Sequence, residues 1–161
     1  MDEHEKIFGL FAELGPVAMP EAVAVSEDPL TWTVLLPEAG VVTARLQPAS
    51  HCVAFTVDVG PLPAEVPEAV RTGLLTGLLH VGYHWRESGT ISAALDAEGE
   101  VSLVYRHPLA TLDVQRLSSI VDKLGKLRSH AARALDEAAA AARTMSTPSA
   151  DTAMPPGGIP V

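Results

Sequence analysis

The chain has 161 residues, 47 % of them hydrophobic and 19 % charged, with a formal net charge of −9. This length gives one domain of ordinary size with a real core, and the composition is globular rather than disordered. The acidic balance excludes a general nucleic-acid binder, which needs Lys and Arg in excess to hold phosphate. The charge is also uneven: residues 1–105 carry fifteen acids against four bases, and residues 106–143 carry four acids against seven bases. The basic last segment suits a solvated helix face or a complement to acidic surface elsewhere. A single cysteine, Cys52, allows no internal disulfide and fits a reducing compartment, where it serves as a small apolar packer. The opening Met-Asp-Glu-His-Glu-Lys is acidic where a secretory signal is basic. The longest apolar run, residues 69–85, contains Arg71, His80 and His84 and is shorter than the roughly 20 residues that span a bilayer. A cytoplasmic protein without membrane insertion is expected.

In chain order, Ile7, Phe8, Leu10, Phe11 and Leu14 predict a first short helix, weakened by Gly9 and stopped by Gly15-Pro16. A Pro- and acid-rich connector runs to Pro29, with a weak extra strand at residues 22–26. Three strands follow, each alternating. Residues 30–36 put Trp32, Val34 and Leu36 on one face, residues 41–47 put Val42, Ala44 and Leu46 there, and residues 51–59 put Val53, Phe55, Val57 and Val59 there. The short turns between them imply an antiparallel meander with one buried face.

A second helix is predicted from residue 67 or 68 to 83. Its apolar residues, among them Val70, Leu74, Leu75, Leu78, Leu79 and Val81, are spread around more than one face, so one sheet cannot cover it. Gly73 and Gly77, four apart, leave a bare strip where another backbone can approach. Residues 90–96 and 101–106 form a hairpin about the turn Asp96-Ala-Glu-Gly99, with Ile91, Ala93 and Leu95 on one side and Val101, Leu103 and Tyr105 alternating after it. Beyond Pro108, Leu112, Leu117, Ile120, Val121, Leu124, Leu127, Ala131 and Leu135 recur at three- and four-residue steps, giving a long helix with one apolar stripe. Residues 144–161, rich in Pro, Gly, Ser and Thr, are expected to be a disordered tail behind one domain of residues 1–143. The order is α-β-β-β-α-β-β-α, an α+β fold around an antiparallel sheet.

Catalytic signatures are missing. His80 and His84 are spaced i, i+4 as metal ligands can be, yet no Glu follows His80 and no third ligand is implied; two polar residues near a helix end is the plainer reading. Glu98 and Glu100 flank a turn, where carboxylates are normally solvated. There is no phosphate-binding Gly-rich loop, no G-x-S-x-G and no C-x-x-C. No enzyme activity and no cofactor are expected. Phe8, Phe11 and Trp32 are core by the plain reading, but any of them left outside would mark a binding groove.

This arrangement resembles the class I type III secretion chaperones of the Tir-chaperone (CesT-like) family. The likeness is carried by Leu74-Leu75-Thr-Gly-Leu78-Leu79, by the hairpin from Ile91 to Tyr105, and by the helix opened by Leu109-Ala-Thr-Leu-Asp-Val-Gln-Arg-Leu117. Where family members often carry an Asn near the end of the second helix, this chain has His80-Val-Gly-Tyr-His84. The resemblance implies a homodimer built on the second helix, with Val70, Gly73, Leu74, Gly77, Leu78 and Val81 at the interface. It also implies a surface, including Phe8, Phe11, Trp32, Val34, Leu36, Val42 and Leu46, that holds the N-terminal segment of a secreted effector in extended form. Such a chaperone consumes no ATP; it keeps its client soluble until the secretion ATPase receives it. A regulatory or protein-binding module of the same fold, without an export role, is the alternative.

Overall fold

The computed structural model describes residues 2–18, 22–25, 28–37, 40–64, 66–83 and 91–146. Helix α1 (Glu3–Ala18) is followed by β1 (Ala22–Val25), β2 (Thr31–Leu36), β3 (Gly40–Gln47) and β4 (Cys52–Pro61), then by α2 (Glu68–Tyr83). The hairpin of β5 (Ser92–Leu95) and β6 (Glu100–Pro108) leads into α3 (Val114–Ser146). The strands make one antiparallel sheet in the order β1-β2-β3-β4-β6-β5.

The expected α+β order holds, with the weak strand at residues 22–26 present as β1 at the sheet edge. The alternation sorts the faces as predicted. Trp32, Val34, Val42, Ala44, Leu46, Val53, Phe55, Val57, Val59, Val101 and Leu103 are buried beneath α1 and α3, which contribute Ile7, Phe11, Leu14, Leu117, Ile120, Val121 and Leu124. The opposite face, including Thr33, Leu35, Val41, Thr43, Thr56 and Val104, carries none of the buried core.

Side chains in the turns fix the register. Asp96 Oδ1 accepts from the backbone N–H of Glu98 (3.0 Å) and of Glu100 (2.7 Å), closing the hairpin while Gly99 takes φ +87°. Asp113 caps α3, its Oδ1 accepting from Arg116 N–H at 2.7 Å. The ladder between β4 and β6 shifts register between Asp58 and Gly60, and Arg128 of α3 donates from Nε to the Asp58 carbonyl (3.2 Å) at that bulge.

Four expectations need correction. Helix α1 runs past Gly15-Pro16 to Ala18, because a proline penalises the turn before it and packing of the upstream stripe carries the helix into one further turn. Cys52 is no core packer: it has the opposite parity to Val53, and its thiol lies 3.0 Å from Ser50 Oγ and 3.3 Å from Gln47 Oε1. Leu95 has core parity but is 44 % exposed, at the end of the edge strand. Helix α3 continues to Ser146, three residues beyond the expected domain boundary; residues 147–161 lie outside the described residues.

Candidate functional site

Two apolar regions stand out. The first is where α1 lies over the sheet. Phe11 stacks on Trp32 with ring centroids 5.4 Å apart and planes within 3°, and His4, about two turns earlier, sits 5.7 Å from the same indole. Trp32 is wholly buried, and its Nε1 has no hydrogen-bond partner among the described residues. Three polar ties hold the start of α1. His51 Nδ1 lies 2.6 Å from Glu3 Oε1, Lys6 Nζ donates to the Leu109 carbonyl at 2.6 Å, and His4 Nε2 is 3.0 Å from the Pro29 carbonyl.

Of the residues expected to meet a client, Phe11, Trp32, Val34, Val42 and Leu46 belong to the core of the protomer, since α1 covers the face that their alternation defines. Leu36 is partly buried against that core, and Phe8 points outward at 52 % exposure.

The second region is α2. None of its described side chains is fully buried: Leu74, Leu75 and Leu78 are half-buried against the core, Val70 is half-buried, and Leu79 is 74 % exposed. Between α2 and α3 lies a cleft of about 560 Å³. The structure brings Val70, Gly73, Leu74, Gly77 and Leu78 together along one wall, with Leu103 below and Leu127, Ala131 and Leu135 opposite. Neither glycine has any atom within 4 Å of where a Cβ would stand, so the bare strip opens onto space. The side chain of Val81 and all of His84 lie outside the described residues.

No group of His, Cys, Asp and Glu able to hold a metal occurs among the described residues. Another cleft, of about 710 Å³, lies between the end of β4 and the second half of α3, lined by Val59, Pro61, Leu135, Arg128, Asp136 and Arg143 among others. The Leu30 backbone N–H donating to Asp28, helped by the Thr31 hydroxyl and the Arg45 guanidinium, holds its carboxyl below the usual range against a smaller opposing effect of desolvation.

Sequence reasoning missed His107. It follows Val101, Leu103 and Tyr105 in the same parity, which is the signal that could have found it, and it is buried with Nδ1 3.0 Å from Tyr105 Oη and Nε2 3.3 Å from Thr111 Oγ1. Both ring nitrogens are satisfied locally, so it is a packed core histidine.

The sequence model of the Tir chaperone protein (CesT) family matches residues 33–131, well over half of the chain. The chain belongs to the Tir chaperone protein (CesT) family. That stretch runs from β2 to the middle of α3 and so contains the α2 wall of the cleft with Leu127 and Ala131 opposite, whereas α1 and β1 precede it and Leu135 follows it. Membership of a chaperone family makes this CesT-family protein a non-enzyme. Solved structures share the fold. A chain of the ExsC–ExsE complex matches with a TM-score of 0.66 at 20 % identity, over 84 % of this chain and 97 % of that one. A chain of the HopA1–SchA chaperone–effector complex matches with a TM-score of 0.63 at 14 % identity, over 83 % and 98 %. The heterodimeric ExoU–SpcU complex from the type III secretion system of Pseudomonas aeruginosa gives 0.61 at 18 %, over 80 % and 97 %. No curated protein matches the chain.

Proposed function

We propose that this CesT-family protein is a dimeric cytoplasmic chaperone that binds the N-terminal segment of a type III secreted effector and keeps it soluble and competent for export. The observation that carries the reading is α2. It is an apolar helix in a member of a chaperone family, yet none of its described side chains is fully buried and it lines an open apolar cleft. Exposed apolar area of this kind marks an interaction surface. A second copy supplies its cover, with Gly73 and Gly77 admitting the partner's backbone and Val70, Leu74 and Leu78, with Val81, packing around it. The client lies on the remaining apolar surface, which includes Phe8 on α1 and the edge of Leu36, and adds main-chain hydrogen bonds at a sheet edge. The HopA1–SchA chaperone–effector complex and the ExoU–SpcU complex of a type III secretion system, which share the fold, support this role. The secretion ATPase is the acceptor of the client.

Light scattering tests the dimer: the wild-type chain is expected at twice the 16.9 kDa of one chain. Gly77→Arg places a charge in the seam where the protomer has open space, and should give a folded monomer. A wild-type monomer at micromolar concentration would overturn the dimer. Co-expression with candidate effectors tests the client, which should co-purify and show one protected N-terminal segment on limited proteolysis.

A further inference from the structure

Helix α1 holds the Trp32 face closed with less than it could. The buried indole N–H of Trp32 has no acceptor among the described residues, so the closed state forgoes a hydrogen bond that water would supply once the helix lifts. Gly9 sits mid-helix with nothing within 4 Å of its missing Cβ, so packing does not demand glycine there and the helix simply loses stability. Pro16, in the last turn of the same helix, removes one backbone donor. Two of the three polar ties at its start, Glu3 with His51 and His4 with the Pro29 carbonyl, lie at exposed positions. Against these stand the buried side chains Ile7, Phe11 and Leu14, with Leu10 half-buried: a stripe at i, i+3, i+4 and i+7.

We infer that α1 is a removable cover: it lifts from the sheet while the rest of the fold stays intact, and the surface it vacates accepts an amphipathic segment with the same apolar spacing. This rests on the chaperone reading in one respect, that the natural occupant is a client segment; the lifting itself needs neither client nor dimer. The occupant's chemistry is the one α1 displays: four apolar side chains on one helical face, one of them aromatic to stack on Trp32, and an acceptor for the indole N–H.

Hydrogen exchange on the full chain tests the lifting. Amides of residues 10–14 should exchange about a hundredfold faster than those at the centre of β4 and β6, because they open without global unfolding. One shared level of protection for α1 and the sheet would overturn the proposal. Gly9→Ala with Pro16→Ala should slow exchange in α1 by roughly tenfold or more, given the helix propensities involved, and leave β4 and β6 unchanged; equal slowing in all three would overturn it. A fluorescein-labelled synthetic peptide of residues 2–18 serves as the probe for the vacated surface. It should bind the wild-type chain at least about tenfold more tightly than the Gly9→Ala/Pro16→Ala chain, since only a lifted cover leaves room. Equal binding, or none to the wild type, would overturn the vacated site. A failure of the light-scattering or co-expression tests would leave these exchange measurements untouched, so the two ideas fail separately.

Discussion

Asp28 shows how one side chain ties the start of β2 to the pH of the solution. Its carboxylate gathers the Leu30 N–H at 3.0 Å, the Thr31 hydroxyl at 3.1 Å and the Arg45 guanidinium at 3.4 Å, and its pKa falls as a result. A group whose folded pKa is depressed contributes stability above its unfolded pKa and loses it as pH falls through the folded value. Asp28→Asn should therefore be less stable than wild type at neutral pH, and the gap between their urea midpoints should close as the pH drops below the ordinary Asp range. A gap that does not change with pH would refute the assignment. Gly40 illustrates conformation deciding over space. A Cβ there would stand 3.6 Å from the Arg128 guanidinium, an ordinary contact, but the backbone has φ +79°. Gly40→Ala should cost about 1–2 kcal/mol, read as a shift in urea midpoint with an unchanged slope.

At the scale of elements, α3 separates what packs from what is merely charged. Leu124 is fully buried against the sheet, whereas Lys126 makes an exposed i, i+4 pair with Asp122 at 2.8 Å. Leu124→Ala should cost roughly 2–5 kcal/mol, and Lys126→Ala no more than about 0.5 kcal/mol, both by urea unfolding. The alternation of Val42-Ala44-Leu46 and of Val53-Phe55-Val57-Val59 made the buried face legible in the sequence, because period-two apolarity has one physical solution on a pleated sheet. The helix stripes were legible for the same kind of reason. What could not be read was which side of an apolar residue meets solvent. Phe8 and Phe11 look alike in sequence, yet one is outside and the other is stacked on Trp32, since the rotation of α1 is set by its seat on β2 and α3. The Trp32 N–H without an acceptor among the described residues and the Arg128 tie to the β4 bulge are likewise products of tertiary placement, and local pattern holds no trace of them.

For the whole molecule, the chain distributes its apolar surface unequally. The helices α1 and α3 seal one face of the sheet, while α2 packs on the core only through half-buried leucines and borders an open cleft. No helix among the described residues is long and apolar enough to cross a membrane. If a second copy covers α2, folding and association are linked by mass action. Raising the protein concentration a hundredfold should then raise Tm by several degrees (a shift of about 2.7 kcal/mol at most), and Gly77→Arg should abolish that dependence. A Tm independent of concentration in the wild type would argue against an association-linked fold.

The strand order also sets a timetable. Strands β1 to β4 pair with their chain neighbours across short turns, but β6 must return to β4 after α2 and β5, so that Asp58 meets Ser102 at a separation of 44 residues. Closing that loop costs more entropy than any of the hairpin turns before it, so the β2–β3–β4 meander has time to form first. Substitutions that loosen the β4–β6 ladder, such as Val57→Ala opposite Leu103, should slow refolding in stopped-flow measurements. Equivalent losses within the earlier β2–β3 hairpin, such as Val34→Ala opposite Val42, should slow refolding as well, and an effect on unfolding alone would refute this order. During synthesis, a chain that has emerged only as far as β4 has the floor of its core without α3 to cover it. For a protein whose own family guards other chains from exposure, the most vulnerable moment is then its own, between the fourth strand and the last helix.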